Sequence, residues 1–184
     1  MASVFLLVVG GIAVLVLLYV IGTFNSLISL RNRVDNAWSQ IDVQLKRRYD
    51  LIPNLINTVK GYMKHEKGTL EEITKMRSQL VSGSMQQKAK ASNVISDALK
   101  TIFAVAENYP QLQASENFKM LQEELSGTES KIAYARQFYN DNVLILNNKI
   151  EMFPSSIIAN MMSTKEREFF KTEGAEKKPV KVEF

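Results

Sequence analysis

The 184-residue chain is 46% hydrophobic, carries a net charge of +4 and contains no cysteine, which excludes disulfides, thiol catalysis and cysteine zinc sites. Its 23 basic and 19 acidic residues are interleaved rather than gathered, so they read as solvated helix faces and not as a nucleic-acid footprint. Length allows one domain with an anchor and a tail. The uneven hydrophobicity divides the chain that way: an anchor over 1–24, a helical domain over 25–162 and a flexible charged tail over 163–184.

VFLLVVGGIAVLVLLYVIG, Val4 to Gly22, holds no charge and is long enough to cross a bilayer core at about 1.5 Å per residue. A buried core helix is rarely apolar on every face. No basic n-region precedes the segment and no small-x-small cleavage pattern follows it, so a retained anchor is expected rather than a signal peptide. Ala2 stands where N-myristoylation needs glycine. Arg31 and Arg33 follow the span, with Lys46, Arg47 and Arg48 beyond and no Lys or Arg before it. The positive-inside rule then predicts an outside N-terminus and a cytoplasmic domain.

After the span, Val34, Trp38, Ile41, Leu45, Tyr49, Ile52, Ile56, Val59 and Met63 recur by threes and fours, the mark of one apolar face on a long, nearly straight helix. Pro53 interrupts this run. Either it kinks a continuous helix, which the unbroken stripe favours, or Asp50 caps a new helix with Pro53 in its first turn. Asn32, Asn36, Gln40 and Gln44, four apart, line a second face with amides. They are either solvent-exposed or a ladder of hydrogen bonds to another helix or a neighbouring copy.

Thr69 and Glu72 have capping-box spacing after Gly68, which predicts a turn near Lys67–Thr69. The helix that follows carries Leu70, Ile73, Leu80 and Val81, weakens at Ser82-Gly83-Ser84, and resumes through Val94, Leu99, Ile102, Phe103 and Ala106. Gly83 marks a hinge or a break into two collinear helices. Asn108-Tyr109-Pro110 ends that segment. Ser115 is placed to cap a last long helix, with the stripe Phe118, Leu121, Leu125, Thr128, Ile132, Ala135, Tyr139, Val143, Leu146, Ile150 and Phe153. Phe153-Pro154 ends it, and Ser155 is placed to cap a short helix through Met162.

Three segments of about 35 to 40 residues, each about 50 to 60 Å at helical rise, predict an all-α fold. This is an N-terminal transmembrane helix followed by an elongated antiparallel bundle of three to four long helices. In up-down-up order the first and last long helices run parallel, which places Arg47 or Arg48 level with Glu129 for an ion pair. His65 is the one histidine; with no clustered carboxylates beside it, it is expected on an exposed end and not as a metal ligand or base. Glu71-Glu72 and Glu123-Glu124 point to different sides of their helices and form no catalytic pair. Beyond Ser163 periodicity vanishes. Phe169-Phe170 and the final VKVEF interrupt the charges, so the tail is either disordered or a docking element, with Val180, Val182 and Phe184 alternating as an added strand.

RNRVDNAWSQIDVQLKRRYDLIPNLINTVKGYMKHEK, AENYPQLQASENFKMLQEELSGTESKIAYARQFYN and FPSSIIA together resemble the LemA family over nearly the whole chain after the anchor. One departure is Leu146-Asn147, where that family has a Tyr-Asn pair ahead of the Phe-Pro element. The resemblance implies a bacterial inner-membrane protein with one span and a helical bundle, and it supplies no catalytic residues. From it follow links to membrane-associated proteases and signalling. The expectation is therefore a non-enzymatic, cofactor-free scaffold or adaptor that binds lipid through its anchor and self-associates. The alternative is a regulatory subunit of a membrane protease or sensor kinase. Candidate interaction residues are Asn36, Gln40, Gln44, Arg47, Arg48, Glu129, Phe169, Phe170 and Phe184.

Overall fold

The computed structural model describes residues 1–63 and 65–171. Among them are seven helices and no strand: α1 (Ala2–Val59), α2 (Lys67–Arg77), α3 (Gln79–Ser82), α4 (Met85–Ala106), α5 (Pro110–Gln113), α6 (Glu116–Glu151) and α7 (Ser155–Met161). The described residues form two compact units, one of 1–37 with 138–169 and one of 38–137 with 170–171. α1 and α6 are continuous through both.

In the larger unit, α1 continues through Pro53 without a break, so the helix does not restart at Asp50. Proline has no N–H, and the carbonyl four residues back, that of Tyr49, loses its helical partner. Arg77 fills the gap: its Nε donates to Tyr49 O at 2.8 Å, and its guanidinium lies 3.7 Å from the centre of the Tyr49 ring. Periodicity holds, but the buried positions in this unit are Ile41, Leu45, Arg48, Ile52, Leu55, Val59 and Met63. Trp38, Tyr49 and Ile56, assigned to the stripe from sequence, are only half-buried beside it.

The chain reverses at Gly83 rather than continuing collinearly, and this corrects the expected topology. A Cβ at Gly83 would lie 2.6 Å from Gln79 O and 3.0 Å from Gln87 Cβ, so only glycine lets the two helices meet this closely. Ser84 then caps α4 with a full capping box: its hydroxyl accepts from Gln87 N while Gln87 Oε1 accepts from Ser84 N. The box expected at Thr69 and Glu72 does not form, because α2 starts two residues earlier, at Lys67, and has no side-chain cap. Ser115 does cap α6, accepting from Phe118 N at 3.4 Å.

This extra reversal makes the larger unit an up-down-up-down bundle of α1, α2–α3, α4 and α6. α4 runs with α1, as Asp42 pairs with Lys88 and Arg48 with Ser92 and Ser96. α6 runs against α1: Arg48 meets Glu129, Arg47 meets Glu124, and Phe170 bridges Trp38 to Arg136. The parallel arrangement expected for the first and last long helices is therefore wrong.

In the smaller unit, Thr23, Leu27 and Val34 of α1 are buried, as are Tyr139, Val143, Leu146 and Ile150 of α6 and Ser155, Ile158 and Ala159 of α7. Phe153 is exposed and does not extend the α6 stripe, because the helix has already ended at Glu151. Ser155 opens α7 without capping it; its hydroxyl donates to Met152 O instead. α7 closes on Ser163 in the left-handed region (φ 51°), with Thr164 N bonded to Ala159 O, a closure usually made with glycine.

That closure sends the next residues back toward α6. Asn147 reads the backbone of Arg167 in both directions, its Oδ1 accepting from Arg167 N and its Nδ2 donating to Arg167 O, each at 2.9 Å. Tyr139 Oη donates to Glu168 O, and Arg167 reaches Asp35 at 3.1 Å. The segment from Ser163 to Phe169, expected to be part of a flexible tail, is thus tied down by side-chain hydrogen bonds that hydropathy does not register.

Candidate functional site

Position 48 falls on the buried stripe of α1, and the sequence places an arginine there. Its side chain is fully buried, while that of Glu129 is 40% exposed. A guanidinium in that position needs a partner for each N–H. α4 provides Ser92 O and Ser92 Oγ at 3.1 Å and Ser96 Oγ at 3.2 Å from Nη1, and α6 provides Glu129 to Nη2. Ser96 Oγ also lies 2.8 and 2.9 Å from the two Glu129 oxygens. Burial lowers the Arg48 pKa from its ordinary value, and the Glu129 carboxylate opposes that shift.

Among the described residues, two buried side-chain atoms here have no hydrogen-bond partner: Arg48 Nε and Gln44 Oε1, one helical turn apart on α1. Toward the surface lie Arg47 with Glu124, Lys88 with Asp42 at 2.7 Å and Lys46 with Asp50 at 2.5 Å. The cluster holds charge in fixed register between three helices. An arginine whose Nη donors are engaged is not a proton shuttle, and among the described residues no three His, Asp or Glu side chains converge as metal ligands.

The ion pair expected between Arg47 or Arg48 and Glu129 is formed by Arg48. The amide face divides: Asn36 and Gln40 are exposed, whereas Gln44 is half-buried. Phe169 is largely exposed, but Phe170 is buried in the larger unit with Trp38 at 6.0 Å between ring centres and the Arg136 guanidinium at 5.9 Å. Phe184, with Val180 and Val182, lies outside the described residues. Sequence reasoning missed Ser92, Ser96, Arg77 and Asn147. The signal for Arg77 was Pro53, since the orphaned Tyr49 carbonyl demands a donor. No comparable signal marks Asn147.

Comparison with known proteins adds three likenesses. Protein LemA of Metamycoplasma hominis is 29% identical over 77% of this chain and 66% of its own length. Two magnetosome proteins of Paramagnetospirillum magneticum, MamQ 1 and MamQ 2, are each 22% identical over 94% of this chain and 72% of theirs. The LemA family model matches residues 37–184, which takes in the Arg48 cluster, the Gly83 reversal and the Asn147 clasp, and on that match the chain belongs to the LemA family.

Proposed function

We propose that this protein is a single-pass, membrane-anchored scaffold whose helical domain self-associates and performs no catalysis. One observation carries the reading. α1 is a single 58-residue helix that is exposed on every face over residues 2–22, yet whose later turns bury one regular stripe. Such a helix joins a lipid-facing segment to a protein core without a flexible linker. Self-association draws support from Phe138 and Ile145, which are seven residues apart in the smaller unit and share one exposed face of α6, away from its buried stripe. Arg31 and Arg33 support a cytoplasmic domain and an outside N-terminus at the bacterial inner membrane.

The test is the mass of the full chain purified in mild detergent, beside Phe138→Lys and Ile145→Lys. The expected result is an oligomer that both substitutions dissociate without loss of helicity. A monomer at all concentrations overturns self-association. Stoichiometric recovery of a different membrane protein, such as a protease or sensor kinase, would favour a regulatory-subunit role instead. A reporter fused after Phe184 that is active only outside the membrane overturns the orientation.

A further inference from the structure

Two stretches of the smaller unit contain no charged residue: 1–30, and 152–164 with the sequence MFPSSIIANMMST. The first holds the anchor. The second forms the corner between α6 and α7 and then α7 itself. Thirteen uncharged residues are not what solvent exposure asks of a corner, and its large apolar side chains are not inside. Met152 is 61% exposed, Phe153 81%, Ile157 54% and Met161 80%. Ile157 and Met161 lie one turn apart on one face of α7, while its other face buries Ile158 and Ala159.

The level of this corner along α1 follows from contacts within the unit. Arg167 connects Asp35 of α1 with Asn147 of α6. Beyond Asn147, α6 has four more residues, about 6 Å of rise, before the corner. Thr23 and Leu27 of α1 are buried, and within this unit only 138–169 can cover them. The buried ends of α6 and α7, at Ile150, Ile158 and Ala159, are the apolar surfaces available. The exposed face of the corner therefore stands toward the turns where α1 leaves its apolar span, where Phe24 is exposed too.

We infer that this corner is immersed in the interfacial layer of the lipid bilayer. Met152, Phe153, Ile157 and Met161 form a second membrane contact beside the anchor. Lipid is the occupant that the position selects. The patch continues the uncharged surface of the anchor rather than lying on a distant face, and amphipathic elements at this depth bury their apolar side among headgroups and upper acyl chains. A span fixed at one point can tilt and rotate. A second contact about one helix diameter away would fix how the domain stands on the membrane. The inference rests on the anchor reading above.

The absence of cysteine makes the test direct. Full-length Phe153→Cys and Met161→Cys proteins, each labelled with an environment-sensitive fluorophore, are reconstituted into phosphatidylcholine–phosphatidylglycerol vesicles carrying lipid-bound quenchers at graded depths. Leu15→Cys reports anchor insertion, and Asn57→Cys, about 50 Å further along α1 than Gly22, reports the aqueous domain. The expected result is quenching at positions 153 and 161 several-fold above that at 57, strongest with the shallow quencher, while position 15 responds to the deep one. Position 15 quenched with 153 and 161 no different from 57 overturns this inference and leaves the anchor standing. Position 15 unquenched overturns the anchor reading itself. Positions 153 and 161 shielded from aqueous iodide without lipid quenching would mean a second protein copy covers the corner, and overturns it also.

Discussion

Arg77 donates its Nε–H to the Tyr49 carbonyl at 2.8 Å, replacing the helical bond that Pro53 cannot make. A proline thus sits inside a 58-residue helix without leaving its carbonyl orphaned. Because the contact exists on account of the proline, the two residues should be coupled. Arg77→Ala in the native chain should cost about 1–3 kcal/mol for the unsatisfied carbonyl, with about 0.5–1 kcal/mol more for the lost ring contact. In a Pro53→Ala background position 53 regains its N–H, and the same change should cost at least about 1 kcal/mol less. Thermal unfolding of the four proteins of this cycle in detergent measures the difference, and simple additivity would refute the coupling.

The Arg48–Glu129 pair is asymmetric, since the arginine is fully buried and the carboxylate is 40% exposed. Removing the carboxylate strands a guanidinium away from water, and Glu129→Ala should cost about 3 kcal/mol. Removing the cation instead leaves a carboxylate that can hydrate, so Arg48→Met should cost only about 1 kcal/mol. Replacing both, as Arg48→Met with Glu129→Leu, should return stability close to native. Equal costs for the two single changes would contradict the asymmetry.

The sequence made the helices legible because their apolar spacing is a direct consequence of 3.6 residues per turn, and α1 and α6 follow it. What it could not show was the direction of the last helix. Direction hung on Gly83, whose reversal depends on a close approach to Gln79 O and Gln87 Cβ rather than on hydropathy. Serine-glycine-serine reads equally well as a hinge. The ion pair at Glu129 was anticipated from a parallel packing that is not present; it forms because an antiparallel α6 also brings position 129 level with Arg48. The choice between Arg47 and Arg48 as its partner was left open, although 48 fits the buried stripe 41, 45, 48, 52, 55 without adjustment. The Asn147 clasp was invisible, since a side-chain amide that reads backbone needs no particular sequence opposite it.

Gly83 carries the reversal between α3 and α4, so Gly83→Ala should destabilise the domain although alanine favours helices. The added methyl would sit 2.6 Å from a backbone oxygen, and relief requires the turn to open, at a cost of about 1–3 kcal/mol. Gly127 is a control: a Cβ there meets nothing within 4 Å. Gly127→Ala in the middle of α6 should stabilise by roughly 0.5–1 kcal/mol. Urea titration followed by circular dichroism should move the two midpoints in opposite directions.

Asn147 holds the returning segment by two hydrogen bonds to one residue. Asn147→Ala removes both, and at about 0.5–1.5 kcal/mol each the segment should open about 5- to 150-fold more often. Limited trypsin digestion at Lys165 and Arg167 reads this directly, with cleavage rising by that factor while helicity is unchanged. Asn147→Asp keeps the acceptor and loses the Nδ2 donor, and should fall between. Cleavage unaffected by either change would mean the clasp does not hold the segment.

Tyr139 is buried, and its Oη donates to Glu168 O at 2.9 Å. Burial, reinforced by the nearby Asp35 and Glu168 carboxylates and opposed by Arg167, pushes its pKa above the usual tyrosine value of 10.0. The unfolded chain therefore releases this proton at a lower pH than the folded chain does. Below the unfolded value both states hold the proton and the full contribution is present. As pH rises beyond it, the unfolded state ionises first and stability falls, until the folded phenol ionises too and can no longer donate to Glu168 O. Tyr139→Phe lacks the titrating group. It should be less stable than the native protein at neutral pH by about 0.5–1.5 kcal/mol for the lost hydrogen bond, and should lose stability less steeply above pH 10. Denaturation midpoints taken between pH 8 and 11.5 on the two proteins should converge as pH rises. Parallel curves across that range would show that Tyr139 keeps an ordinary pKa in the folded state.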